Sequence, residues 1–414
     1  MAIVSSVIFY GLIFFSVYVQ VFFFITFLEN RKKIIVRTGN VNLNIYPQVT
    51  IVVPCWNEET TIEKTVLSLV DLNYPKDKLN IFLVDDGSTD GTFEVLKKFT
   101  VYENISIFKK ENGGKYTALN FGLANSDTEF FGCLDADSYA DPDSLARIMS
   151  YFAQDDSIMA VAPSVVVANS TNVIQEAQKA EYHMGIYTKK MLGFLGAINV
   201  TPGPLTIFRK KVINDLGANG LAHNTEDMEI AYRMQRNGYK IEHCNDAYVY
   251  TSTPGTIKKL YRQRLRWIYG FINNTIDYKD VLFKSRYGNF ALFTLPTGLI
   301  SIIAICYLFV QIAYNLGHFI YSKIIVFNIT GFSPSFNLRF LDPFFFDTHL
   351  SGFLVLVIYS LAVFAILFGR KMIEGKWVFS INMLYFLIVF RLLAPFWFLK
   401  ALYNTILSKK PNWR

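Results

Sequence analysis

The chain of 414 residues is 52% hydrophobic and 16% aromatic, more apolar material than one soluble domain of this length buries, so part of it must face lipid. Its formal net charge of +7 does not mark a nucleic-acid binder, because the basic residues flank apolar segments and form no contiguous strip interleaved with aromatics. Cys55, Cys133, Cys244 and Cys306 are scattered without C-x-x-C spacing, which points away from a disulfide framework or a zinc site and suits a reducing compartment.

From Val4 to Leu28 the sequence is apolar and carries no charge. At ~1.5 Å per residue that run is long enough to cross roughly 30 Å of hydrocarbon. A cleaved signal peptide fits poorly: the run is too long, it lacks a basic start, and it ends in Asn30-Arg31-Lys32-Lys33 with no small-residue cleavage site. Residues 1–30 therefore read as a transmembrane helix. The basic cluster after it places the following segment in the cytoplasm by the positive-inside bias, and the amino terminus outside.

Residues 45–280 change character, alternating short apolar runs with amphipathic stretches as a parallel α/β sheet does. The pattern predicts strands at 49–53, 81–84 and 130–134 and helices over 60–72 and 92–99. Each strand is followed at once by polar or acidic residues, where a Rossmann-like sheet presents ligand groups. Pro54-Cys55-Trp56-Asn57-Glu58 follows the first strand, and Asp85-Asp86-Gly87-Ser88-Thr89-Asp90 the second. Asn112-Gly113-Gly114-Lys115 adds a pliant backbone and a point cation suited to phosphate. Asp135 and Asp137, one residue apart at the end of an apolar strand, are costly to hold together unless a cation neutralises them. Magnesium or manganese bridging a diphosphate would do so. No twelve-residue loop with ligands at alternate positions follows, which argues against a structural calcium site. Thr225-Glu226-Asp227 precedes an amphipathic stretch, Met228 to Arg236, and Gln263-Arg264-Leu265-Arg266-Trp267 reads by itself as a basic interfacial helix.

Residues 281–414 return to lipid-like composition, with three hydrophobic segments near 290–312, 352–368 and 377–399. Arg370, Lys371 and Lys376 form a cytoplasmic turn. A full crossing by the last segment would put the basic tail Lys409 to Arg414 outside, against the positive-inside bias, and Arg391 and Pro395 lie within it. A bent or re-entrant element is as good a reading as a simple span.

The ordered set DDGSTD, NGGK, LDADS, TED and QRLRW resembles the processive family 2 glycosyltransferases, which include the cellulose, chitin, hyaluronan and poly-N-acetylglucosamine synthases. The resemblance runs from Val49 to Gly270 and extends to the flanking helices, and QxxRW is its most specific piece. It implies a GT-A, Rossmann-like α/β domain on the cytoplasmic face of the plasma membrane, flanked by transmembrane helices in a multi-pass protein. It also implies an inverting transfer of a sugar, N-acetylglucosamine being favoured, from a UDP-sugar to a growing β-linked polysaccharide. By resemblance Pro54, Asn57, Glu58, Asp85, Asp86, Lys115 and Asp135 bind the donor, with Asp86 at the nucleobase. Asp137, with Asp135, holds the divalent metal. Asp227 is the catalytic base, with Glu226 next in line, and Gln263, Arg266 and Trp267 line the acceptor end and the diphosphate. Pro202 stands where the family commonly has serine before glycine, and Tyr116 where it has a small residue; these departures bear on the acceptor and the donor pocket. A ceramide or diacylglycerol glucosyltransferase shares much of this motif set, and the acceptor is then a lipid. A silent nucleotide-sugar sensor or export subunit is a more distant reading. An accessory membrane subunit is a further expected partner, because few helices leave little room for a channel.

Overall fold

The computed structural model describes residues 2–34, 43–331 and 350–409. The first apolar run forms helix α1, Ala2–Asn30, and the basic Arg31–Lys33 turn follows it. The α/β domain then runs β1 Val49–Cys55, α2 Ile62–Val70, β2 Leu79–Asp86, α3 Thr92–Lys97, β3 Ile105–Lys110, α4 Lys115–Ala124 and β4 Phe130–Cys133. It continues through β5 Ser138–Ala140, α5 Ser144–Gln154, β6 Ile158–Val167, α6 Val173–Phe194, β7 Ile207–Arg209, α7 Lys210–Leu216, α8 Glu226–Arg236, β8 Lys240–Thr251 and α9 Ile257–Asp277. Three long helices close the chain: α10 Leu295–Thr330, α11 Leu350–Glu374 and α12 Ile381–Ile406.

The strands form one eight-stranded sheet in the order β3-β2-β1-β4-β7-β6-β8-β5. β3, β2, β1 and β4 are parallel, with Val49 opposite both Leu79 and Phe130. β1 is buried along nearly its whole length because helices cover both faces, which is why it reads as an unbroken Val/Ile run. The sheet is mixed where the sequence pattern predicted a parallel one: β7 runs antiparallel between β4 and β6, and β5 antiparallel beside β8. β5 and β7 are three-residue strands, too short to show a period. The carboxyl ends of β1, β2 and β4 lie side by side, which gathers the three acidic loops at one edge.

Among the described residues four helices are long and apolar enough to cross a membrane. α1, α11 and α12 dock on the α/β domain mainly through α6, and α10 packs at its start with Phe271 of α9. Tyr187 donates to the Phe23 carbonyl at 3.1 Å and Tyr248 to the Met372 carbonyl at 3.1 Å. Phe24, Phe27, Tyr187, Phe364 and Phe368 interlock edge to face. At Gly369 the backbones of α11 and α6 nearly touch, since a Cβ there would sit 1.8 Å from the His183 carbonyl oxygen.

α10 and α12 differ from the predicted spans. α10 continues to Thr330, and its large apolar side chains are exposed from Ile312 to Ile329. α12 starts at Ile381, not Trp377, and passes unbroken through Arg391 and Pro395, so it is not split into a re-entrant pair. It also stays against the α/β domain. Met383 packs in a cluster with Ala180 of α6, Trp397 and Ala401 pack with Tyr269 and Phe271 of α9, and Asn273 donates to Thr405 at 3.1 Å. Of the basic tail only Lys409 falls within the described residues.

Candidate active site

The donor-side loops are held by one another. After β1, Asn57 adopts a left-handed φ of 55°. Its amide N–H donates to Ser88 at 3.0 Å, and its side-chain carbonyl accepts the Thr89 N–H at 2.8 Å. The Glu58 N–H donates to Thr92 at 2.8 Å, and its carboxylate accepts from Thr61 at 2.7 Å. Pro54 lies inside β1, opposite Val84. In the second loop Gly87 has φ 72°, and a Cβ there would come within 2.8 Å of the Asn112 nitrogen. That closeness brings Asp86 onto the Gly-Gly turn, where it accepts from the Gly113 N–H at 3.1 Å, the Gly114 N–H at 2.8 Å and Lys110 at 2.5 Å. Asp86 is thus a fastener between the two loops. Asp85 is fully buried; one oxygen accepts the Ser88 N–H at 3.1 Å, and the other has no partner among the described residues.

The reacting face lies at the end of β4. Lys115, first residue of α4, reaches Asp135 at 2.6 Å and Glu226 at 3.1 Å. Burial opposes its charge, yet Asp135 and Glu226 together hold its ammonium well above the usual lysine range. Gly203 makes room for this pair, since a Cβ there would meet the Lys115 nitrogen at 2.7 Å and both Asp135 oxygens at 3.0 Å. Asp137 accepts from Ser138 at 3.0 Å, and burial, then the charge of Asp135, pushes it up to about 6.

Glu226 and Asp227 open α8, where the helix N-terminus favours negative charge. Burial, then Glu226, pushes Asp227 up to about 6, with Lys115 and Arg266 pulling the other way. Glu226 is held down by Lys115 against the cost of its own burial. The Asp227 carbonyl accepts from the backbone and hydroxyl of Thr201 at 3.1 and 2.9 Å, so the Thr201-to-Thr206 loop ties the carboxylate pair to the end of β4. The chain reaches this helix through a cramped turn: Ala222, His223 and Asn224 are consecutive left-handed residues with φ of 41°, 53° and 63°. His223 pairs with Asp277 at 2.7 Å, and Arg266 donates to the Asn224 carbonyl at 2.8 Å. Gly270 of α9 admits Thr225, because a Cβ there would stand 2.4 Å from its side chain. A cavity of about 30 Å³ is lined by Lys115, Cys133, Thr201, Gly203, Glu226 and Asp227.

α9 delivers the third group. The guanidinium of Arg266 acts electrostatically on Asp227, Glu226 and Asp135 together, and burial lowers it from the usual arginine range. Gln263 and Trp267 flank it on the same helix, both bound to Arg264, which ion-pairs with Glu181 of α6 at 2.5 Å. Lys115, Asp135, Glu226, Asp227 and Arg266 therefore converge. Pro54 instead lies in β1, and Asn57 and Glu58 sit in the supporting loop after it. Lys110, Glu181 and Arg264 were not singled out from the sequence. Lys110, three residues before the Gly-Gly pair, carried a faint signal, whereas Glu181 lies in an ordinary amphipathic helix.

Among the described residues no group of three or more His, Cys, Asp or Glu side chains forms a metal cage. Two carboxylates leaving the remaining positions to phosphate oxygens and water suit magnesium or manganese, which seldom use an all-protein cage.

Residues 50–217 match the profile of glycosyl transferase family 2. A poly-beta-1,6-N-acetyl-D-glucosamine synthase of Staphylococcus aureus is 27% identical over 312 residues, 73% of this chain and 74% of that protein. The synthase of the same name from Staphylococcus epidermidis is 28% identical over 354 residues, 83% and 84% of the two chains. A mannosyltransferase of Pyrobaculum calidifontis, solved with GDP-mannose and Mn2+, superposes over 96% of this chain and 99% of its own, with a TM-score of 0.59 and 17% identity, a likeness of fold. Residues 50–217 are thus similar to family 2 glycosyltransferases, the fold is of the GT-A kind among apolar helices, and the chain is a glycosyltransferase.

Proposed function

We propose that this enzyme transfers N-acetylglucosamine from UDP-N-acetylglucosamine to a growing β-linked polysaccharide, with inversion at the anomeric carbon. The observation that carries the reading is the convergence of Asp227, Glu226, Lys115, Asp135 and Arg266, in a chain whose staphylococcal relatives, named for this polymer, align over most of its length. An acceptor hydroxyl attacks the anomeric carbon and gives its proton to Asp227, while the bond from that carbon to the diphosphate oxygen breaks and UDP departs. A carboxylate pushed up to about 6 stays ionised near pH 7 yet is a stronger base than an ordinary aspartate. Lys115 and Arg266 face the charge that gathers on the leaving diphosphate. Asp137 and Asp135 would hold a divalent cation, which supplies further compensation for that charge. Trp267 offers a flat apolar face to an acceptor sugar beside the Gln263 amide.

The orientation belongs to the same reading. The basic residues Arg31 to Lys33, Arg370 and Lys371 support a cytoplasmic position of the α/β domain at the plasma membrane, and the contacts of α12 with α6 and α9 support the same side for Lys409. The polymer leaves between the helices, with a small membrane subunit or a second copy completing its path.

The test is reconstitution with radiolabelled UDP-N-acetylglucosamine, UDP-glucose or UDP-glucuronate, singly and in pairs, followed by sizing of the product. Long β-linked chains from UDP-N-acetylglucosamine alone are expected. A product that extracts wholly into organic solvent as a short glycolipid, whichever donor is supplied, overturns the polymer reading.

A further inference from the structure

Arg264 is a buried cation of α9 that takes no part in the transfer itself. Its side chain is 5% exposed, and its guanidinium donates to Glu181 at 2.5 Å and to the Gln263 side-chain oxygen at 3.0 Å. Its plane lies over the Trp267 ring at 4.0 Å and faces Phe390 of α12 at 5.8 Å. The Nε–H is buried without a partner among the described residues.

The plainer account is an ion pair that docks α9 on α6. That account needs one charge near Glu181, and a lysine would supply it. It requires neither a flat group against Trp267 nor a bond to Gln263. A guanidinium does both, because it is planar, stacks on indole and presents donors in fixed directions. Binding the Gln263 oxygen also settles which way that amide points, leaving its NH2 as the free end, a donor for a sugar oxygen. Stacking on one face of Trp267 leaves the other face for a ring.

We propose that Arg264 is the positioning residue of the acceptor site: it fixes the Trp267 indole and the Gln263 amide in their binding poses and ties both to α12 through Phe390. The proposal rests on the reading that Gln263 and Trp267 receive the acceptor. Glu181 is its anchor, holding the guanidinium where it meets both side chains.

The experiment compares the full-length detergent-purified enzyme with Arg264→Lys, Glu181→Gln, Trp267→Phe and the double variant Arg264→Lys/Trp267→Phe. UDP affinity is measured by calorimetry, and initial rates are measured against donor and acceptor. The acceptor KM should rise about tenfold or more in Arg264→Lys and Glu181→Gln while the donor KM stays within about threefold. Adding Arg264→Lys to Trp267→Phe should raise the acceptor KM by less than about twofold more, since the two changes disable one unit. Glu181→Gln keeps the guanidinium and indole intact, so it reads the same ratio should Arg264→Lys fail to fold, as a melting curve reports. Parallel rises in donor and acceptor KM, or a double variant showing the full product of the single losses, would overturn the proposal. The acceptor is whichever one the wild-type enzyme elongates, so a wild type that made only glycolipid would remove the polymer reading and leave this comparison standing.

Discussion

Two sets of aspartates occupy the same edge of one sheet and are held in opposite ways. On the donor side Asp86 is satisfied by two backbone N–H groups and Lys110, and the neighbouring loops brace each other: Asn57 accepts the Thr89 N–H, the Glu58 N–H donates to Thr92, and Asp90 accepts the Glu59 N–H. On the reacting side Asp137 and Asp227 are pushed up to about 6 by burial and by the carboxylates beside them. Asp86 is satisfied without a ligand, whereas Asp137 and Asp227 keep a repulsion that Lys115 and Arg266 offset only in part. A preformed cradle suits a binding role, and crowded carboxylates suit the uptake of a cation or a proton, as the proposed function requires.

The difference is open to direct tests. Removing divalent cations should have the largest effect: excess EDTA abolishes UDP release, and added magnesium or manganese restores it. Full turnover in EDTA, with both metals verified absent, would mean that Asp135 and Asp137 do not serve a cation. Asp227→Asn should lower turnover by roughly 10²-fold or more while UDP-sugar affinity stays within a few fold; a near wild-type rate would shift the search for the base to Glu226. Asp86→Ala belongs to the other class: loss of three charge-assisted bonds should raise the donor KM by about tenfold or more with little change in kcat. A fall in kcat at unchanged KM would erase the distinction between the two sets.

The smallest effect concerns pH. Asp227 has to be ionised to accept a proton, so kcat/KM should halve as pH falls to about 6. The sign for stability is opposite. A carboxyl raised above its unfolded value favours the fold most when protonated, so this group's contribution improves as pH drops from about 6 toward the unfolded range. Activity and melting temperature measured across that window should therefore move apart, and a rate flat down to pH 5 would exclude Asp227 as the titrating base.

The sequence revealed most where a residue's role depends on its own neighbours in the chain. β1, β2 and β4 carry their acidic loops immediately after an apolar run, so both the strands and the polar edge could be read directly, as could the carboxylates of Asp135, Asp137 and Asp227. Roles set by distant partners were hidden. Glu181 and Arg264 are 83 residues apart and meet across two helices, and only packing reveals that Arg264, rather than Arg266, lies on Trp267. β7 was invisible because three residues show no period. α10 and α12 are both apolar, yet one leaves the α/β domain and the other lies along it, a choice made by Ala180, Phe271 and Asn273 on other helices.

The left-handed run Ala222-His223-Asn224 makes stability and rate compete for the same three positions. Ala222, which lacks the side-chain hydrogen bonds that ease Asn and His into this region, bears the largest cost, ~1–3 kcal/mol, which a glycine would recover less its own chain entropy. An engineer selecting for heat tolerance would favour glycine at Ala222, and the protein would melt later. The released turn would also slacken the approach to Glu226 and Asp227, which the His223–Asp277 pair and the Arg266 bond now hold taut. Thermostability screens that ignore turnover would thus enrich for poorer enzymes at this one corner of the molecule.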